Sequence, residues 1–255
     1  MDMMEVVPAS TRARGIQLMV AAAAIYLMLD FSGVHKLFSA DAEGIGALLA
    51  ILGTLYSVVY AFATYVIWGQ FAAVENGILK ESGALKDLIL FSQTLKETTR
   101  DPIVRAVRAY ARAVTESEWG TLSRGESTER SDKMFTAVIN AVIEAKPEDE
   151  SERRAHQHLL QIANQASAHR DERLALSAKR IPRTLLLFVT LTAFTLLFLL
   201  LFFPFHNLAL GIIATAIATM LLFFAHFVLT DLDNPFEGTW NVDSGAFGDL
   251  AAKYR

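Results

Sequence analysis

The chain contains no cysteine. Disulfides, thiolate metal centres and cysteine nucleophiles are therefore excluded, and the redox state of its compartment leaves no mark on it. Its formal net charge is only −4, so there is no broad basic field of the kind that gathers nucleic acid. A glycine-rich phosphate loop, an HExxH helix and a GxSxG elbow are also missing, which removes the motif-borne routes to nucleotide, zinc and acyl chemistry. Asp30, His206 and His226 are scattered along the chain rather than clustered. No enzyme is read here.

What is present is apolar surface. Hydrophobic residues make up 53% of the chain and the mean hydropathy is +0.34, too apolar for an ordinary soluble domain. Four segments, 15–37, 45–71, 184–203 and 208–229, reach the roughly 20 residues of helix that cross a hydrocarbon core of about 30 Å. The third and fourth carry no Asp, Glu, Lys or Arg, and only residues 204–207 part them, so a tight antiparallel hairpin is expected. The first segment has Arg12 and Arg14 ahead of it, an alanine-rich centre and "LFSA" ending at Ala40, the composition of a cleavable leader. Its late start and the internal Asp30 favour a retained helix.

Orientation follows from the basic residues. "RAR" (12–14) and "KRIPR" (179–183) flank membrane segments, whereas 39–44 and 204–207 hold no Lys or Arg. The positive-inside rule then puts both termini and the long middle region in the cytoplasm. The expected organisation is an N-terminal tail with two membrane helices (1–71), a helical cytoplasmic domain (72–182), a membrane hairpin (183–230) and an acidic cytoplasmic tail (231–255).

The middle region balances acidic against basic residues. Asp101 followed by Pro102 predicts an N-cap and first-turn proline, opening a helix with Ile103, Val107, Tyr110 and Val114 on one side and Arg105, Arg108 and Arg112 on the other. A second helix is expected near 132–145 and a third over 148–180. The third has a narrow stripe of Ala155, Leu159, Ile162, Ala163, Ala166 and Leu174, suited to packing against other helices, in an oligomer among other ways.

Three groups of polar residues invite chemistry. His156, His158 and His169, with Glu152, lie on the long third helix, but His158 and His169 stand about three turns apart, too far for one ion; a solvated face is the better reading and no metal site is assigned. In the fourth span Thr215, Thr219, His226 and Thr230 share a face, suited either to helix–helix hydrogen bonding or to water. In the second, Gly53, Thr54, Ser57, Ala61, Thr64 and Tyr65 form a broad side, suited to close packing or to an aqueous wall.

After the fourth span comes "TDLDNPFEG" (230–238). Asp231, Asp233, Asn234 and Glu237 are oxygen donors within seven residues, half at most of the six to eight oxygens that calcium takes. Helix termination before Asn234-Pro235, with Asp231 and Asp233 bonded to Arg180 or Arg183, is the favoured reading.

Together "AILGTLYSVVYAFATYVIWGQFAAVENGIL" (50–79), "ESEW" (116–119), "RIPR" (180–183) and "DLDNPFEG" (231–238) resemble the bestrophins and, more closely, a bestrophin-like bacterial family long labelled a domain of unknown function. The resemblance covers most of the chain from Gly44 to Leu250; its motifs are short, and their order and spacing carry it. It implies an all-α membrane protein with four transmembrane helices, a helical cytoplasmic domain between the second and third, and a place in the bacterial inner membrane. It also implies a homo-oligomer, a pentamer, around a central path for a permeant ion, anions in bestrophins. Aligned on the LG step, the bulky neck positions of bestrophins fall on Gly46, Ala50 and Thr54, with Ser57 a turn beyond. Small residues there are a departure, so gating and selectivity do not carry over. The resemblance also implies calcium control at an acidic cluster, for which Asp231, Asp233, Asn234 and Glu237 are the candidates. The expected function is an oligomeric ion channel; a non-conducting scaffold or sensor that binds a partner through its cytoplasmic helices is the alternative. If Ala50, Thr54 and Ser57 face helices of their own subunit, the scaffold gains.

Overall fold

The computed structural model describes residues 7–253, and every regular element among them is a helix. In chain order these are α1 (Ala9–Phe31), α2 (Val34–Phe38), α3 (Ala42–Ser92), α4 (Glu97–Ala113), α5 (Glu129–Ile143), α6 (Glu150–Ser177), α7 (Arg183–Phe202), α8 (Leu208–Leu232) and α9 (Gly245–Lys253). They form two compact units. One comprises Met1–Trp68 and Ile181–Asp233, the other Gly69–Arg180 and Asn234–Arg255.

The first unit holds the apolar helices. Stretches within α1, α3, α7 and α8 are long and apolar enough to cross a bilayer. The first span differs from expectation: instead of running over 15–37, its helix begins at Ala9 and stops at Phe31. The cause is Gly33, whose φ of +76° is left-handed and open to glycine without steric cost. The Ser32 hydroxyl donates to the Leu29 carbonyl, and the chain turns into α2. There His35 is buried, its Nδ1 3.1 Å from Asp30 Oδ1 and its Nε2 2.9 Å from the Leu201 carbonyl. Tyr26 donates to the Phe203 carbonyl at 3.1 Å. Asp30, unplaced in the sequence, thus belongs to a polar clamp that ties the end of α1 to the α7–α8 turn. After that turn, Asn207 caps α8 by accepting from the amides of Ala209 and Leu210.

Close packing of α1 on α8 depends on small residues. A Cβ on Gly15 would sit 3.0 Å from the Phe223 ring, and one on Gly211 would overlap the Tyr26 ring. Glycines let apolar helices approach where no hydrophobic force from water drives them together.

The second unit is built around an apolar core from the C-terminal part of α3 (Leu85, Leu88, Ile89), α4 (Ile103, Val107), α5 (Val138, Val142) and α6 (Leu159, Ile162), sealed by Phe247 of α9. Helix α4 starts more than a turn earlier than expected. Asp101 is inside α4 rather than capping it, and Pro102 falls within the helix. The early start is stabilised from outside: the amide of Lys96, the residue before the helix, donates to the buried Glu152 carboxylate at 3.2 Å. Asp101 is thus helical despite the preference of a residue before proline for extended backbone. Helix α5 begins at a capping box between Thr128 and Ser131, and α6 at Asp149, which accepts from the Glu152 amide.

Candidate functional site

The helix α3 presents three kinds of face over its first unit. Ala63 and Ile67 are buried, and Tyr60 on the same side donates to the Ala225 carbonyl of α8 at 3.3 Å. Roughly a third of a turn away lie Ala50, Thr54, Ser57 and Ala61, all exposed. A further third of a turn on stand Ile51, Leu55, Val58 and Phe62, large, apolar and exposed. Thr54 Oγ1 donates to the Ala50 carbonyl at 2.9 Å, and Ser57 Oγ donates to the carbonyls of Gly53 and Thr54. The hydroxyls are thereby satisfied inside the helix, while their lone pairs still point outward as acceptors. Gly46 is only half-exposed, and a Cβ there would lie 3.4 Å from the Phe203 ring.

The polar face of α8 divides along its length. Thr215 and Thr219 are buried, with Thr219 Oγ1 donating to the Thr215 carbonyl at 2.7 Å. His226 is half-buried beside Thr219 in a small groove that Thr190 of α7 also lines, and Thr230 is exposed.

At the turn after α8, Asp233 Oδ1 accepts the Ile181 amide at 2.7 Å, within the first unit. Within the second, Arg180 donates to Asn234 Oδ1 at 3.1 Å and to the Ser123 carbonyl, and Asn234 Nδ2 donates to Glu237 at 3.0 Å. Arginine therefore reaches the asparagine. Phe236 packs edge-on against Trp119 at 5.5 Å, so the "PFEG" and "ESEW" stretches meet in space. Of the histidines on α6, His156 Nε2 lies 2.8 Å from the Val142 carbonyl, His158 packs against Phe91, and His169 is 3.5 Å from Glu172. Among the described residues no three His, Asp or Glu side chains are placed to hold one metal ion.

The family model of the bestrophin-like domain matches residues 17–247. The chain belongs to the bestrophin-like family. Solved structures agree on the fold: a bacterial bestrophin homologue from Klebsiella pneumoniae with an isoleucine-to-threonine mutation superposes with a TM-score of 0.72 at 11% identity, covering 93% of this chain and 98% of that one. The same homologue, solved by zinc phasing, gives 0.70 at 10% identity over 94% and 99%. No curated protein sequence matches the chain.

In this bestrophin-like chain the densest polar constellation is one that the sequence reading missed. Arg173 is fully buried in the second unit, with Nε donating to Glu81 at 2.6 Å and Nη2 to Glu118 at 2.6 Å. Tyr110 donates to Glu81 and accepts from Arg173 and Arg170. Arg170 also pairs with Asp132, and Ser131 donates to Glu118. Glu81 and Glu118 carry as much charge as Arg170 and Arg173, so the buried core of this network is neutral. Glu118 ends the wide turn Val114–Glu118, closed by the Trp119 amide on the Val114 carbonyl at 2.9 Å, which aims its carboxylate inward. Burial pulls the Arg173 guanidinium down, but Glu81, Tyr110 and Glu118 outweigh it and raise its pKa. Burial, then Glu81, pushes the Tyr110 hydroxyl well above its ordinary value. One signal was available: the buried stripe Leu159, Ile162, Ala166 continues at helical spacing through Arg170 and Arg173 to Ser177.

Proposed function

We propose that the protein is the subunit of an oligomeric, bestrophin-like ion channel that passes anions along a path lined by α3. One observation carries this reading: Ala50, Thr54 and Ser57 are left uncovered by the chain's own helices, although they are smaller and more polar than the bulky apolar stripe beside them. Other copies of the chain would cover the bulky stripe or leave it to lipid, and the hydroxyl-bearing stripe would face the shared axis. The homo-oligomer is a pentamer, as in bestrophins. The scaffold reading would gain if those three residues faced helices of their own subunit, and those helices leave them exposed. Gly46, Ala50 and Thr54 are too small to form a bulky constriction, so selectivity in this channel would come from hydroxyl and backbone dipoles rather than from a dewetted neck. Calcium control through Asp231, Asp233, Asn234 and Glu237 forms no part of the proposal, because Asn234 Oδ1 is already taken by Arg180.

The test is flux from liposomes holding the purified protein, under chloride and under potassium gradients, with a Thr54→Trp variant alongside. Chloride flux that the variant abolishes supports the proposal. Flux unchanged in the variant, or none from a well-folded oligomer, sinks it.

A further inference from the structure

The amphipathic helix α4 turns Ile103, Val107 and Tyr110 into the core of the second unit. Its other side opens into a cleft of about 490 Å3 between Gln93, just past the end of α3, and Lys253 at the end of α9. Three arginines of α4 line this cleft, Arg100, Arg105 and Arg108, together with two acids, Glu97 and Asp101. The acids are both drawn to one cation: Arg100 lies 3.1 Å from Asp101 and 4.0 Å from Glu97. Arg105 is exposed, and among the described residues it makes no ion pair. Arg108 spends its Nε on the Ala251 carbonyl at 3.4 Å, which orients the guanidinium and leaves its terminal nitrogens as donors. Lys253 pairs with Asp249 on the exposed surface, outside the lining. The lining thus holds four cations and two anions.

We infer that this cleft binds a small phosphate-bearing anion. Arginine forks match the geometry of phosphate oxygens and bind them in pairs, and Lys253, paired with Asp249, stands at the far wall. Arg105 and Arg108, which make no ion pair among the described residues, together suit a multiply charged oxyanion better than a monocarboxylate, which one fork would satisfy. The volume lies within the range of small-molecule clefts. None of these residues belongs to the α3 stripe, so the inference stands whether or not α3 lines an ion path.

The full-length protein, in a neutral detergent without phosphate, would be titrated calorimetrically with inorganic pyrophosphate at fixed ionic strength. Saturable binding is expected, weakened about tenfold by Arg105→Gln, the scale of a lost charge-assisted pair. Arg112→Gln, an exposed arginine two turns beyond Arg105 and outside the cleft, should leave it unchanged. Because Arg105 is exposed, its loss does not threaten the fold. The inference is overturned if the wild type shows no saturable binding, if both variants weaken it equally, or if chloride at matched ionic strength competes as well as orthophosphate.

Discussion

Arg173 occupies a place on α6 where the apolar stripe would call for a leucine, and its two carboxylate partners lie more than fifty residues away in sequence. A buried ion network is weak evidence of stability in itself, since desolvation offsets most of the attraction, but removing one member leaves uncompensated charge. Arg173→Met should therefore cost about 3–5 kcal/mol, read as a large drop in the thermal midpoint of the second unit; an unchanged midpoint would show the network to be idle. Tyr110 adds a pH dependence. Its folded pKa lies above the unfolded value near 10, so the folded state holds that proton more tightly. Its contribution is complete below about pH 10 and is lost as pH rises through the folded value. Tyr110→Phe should begin less stable and decline less steeply above about pH 10; parallel decline in both proteins would contradict this. None of these pairings was legible in the sequence, because long-range ion pairs leave no periodicity, and only the register of Arg170 and Arg173 with Leu159 and Ile162 hinted at burial.

Elements were more legible than residues. Apolar length alone located all four membrane-scale segments, and the hairpin of α7 and α8 turns within residues 204–207 as the sequence suggested. Boundaries failed at both helices: Gly33 ended α1 early, and α4 starts before its proline, with the Lys96 amide just ahead of it bonded to Glu152. The closeness of α1 to α8 was also hidden, since Gly15 and Gly211 are ordinary glycines until their partners are known. Gly211→Val should drive a side chain into Tyr26 and cost about 1–3 kcal/mol by overpacking, measured as a fall in thermal stability of the detergent-solubilised protein. A neutral result would mean that α1 and α8 can slide apart freely.

For the molecule as a whole, short motifs pointed to the bestrophin-like family, and both the family match and the fold bear that out. The fold is shared at an identity near 11%. The proposal of conduction rests on the uncovered stripe of α3, and the missing cysteines permit a direct test of it. A Thr54→Cys variant carries a single thiol, so a membrane-impermeant cationic thiol reagent can act only there. The measurement is chloride flux from liposomes before and after that reagent, with the unsubstituted protein as control. If α3 lines the path, flux through the variant falls while the control is untouched; if the thiol is modified and flux persists, the path lies elsewhere.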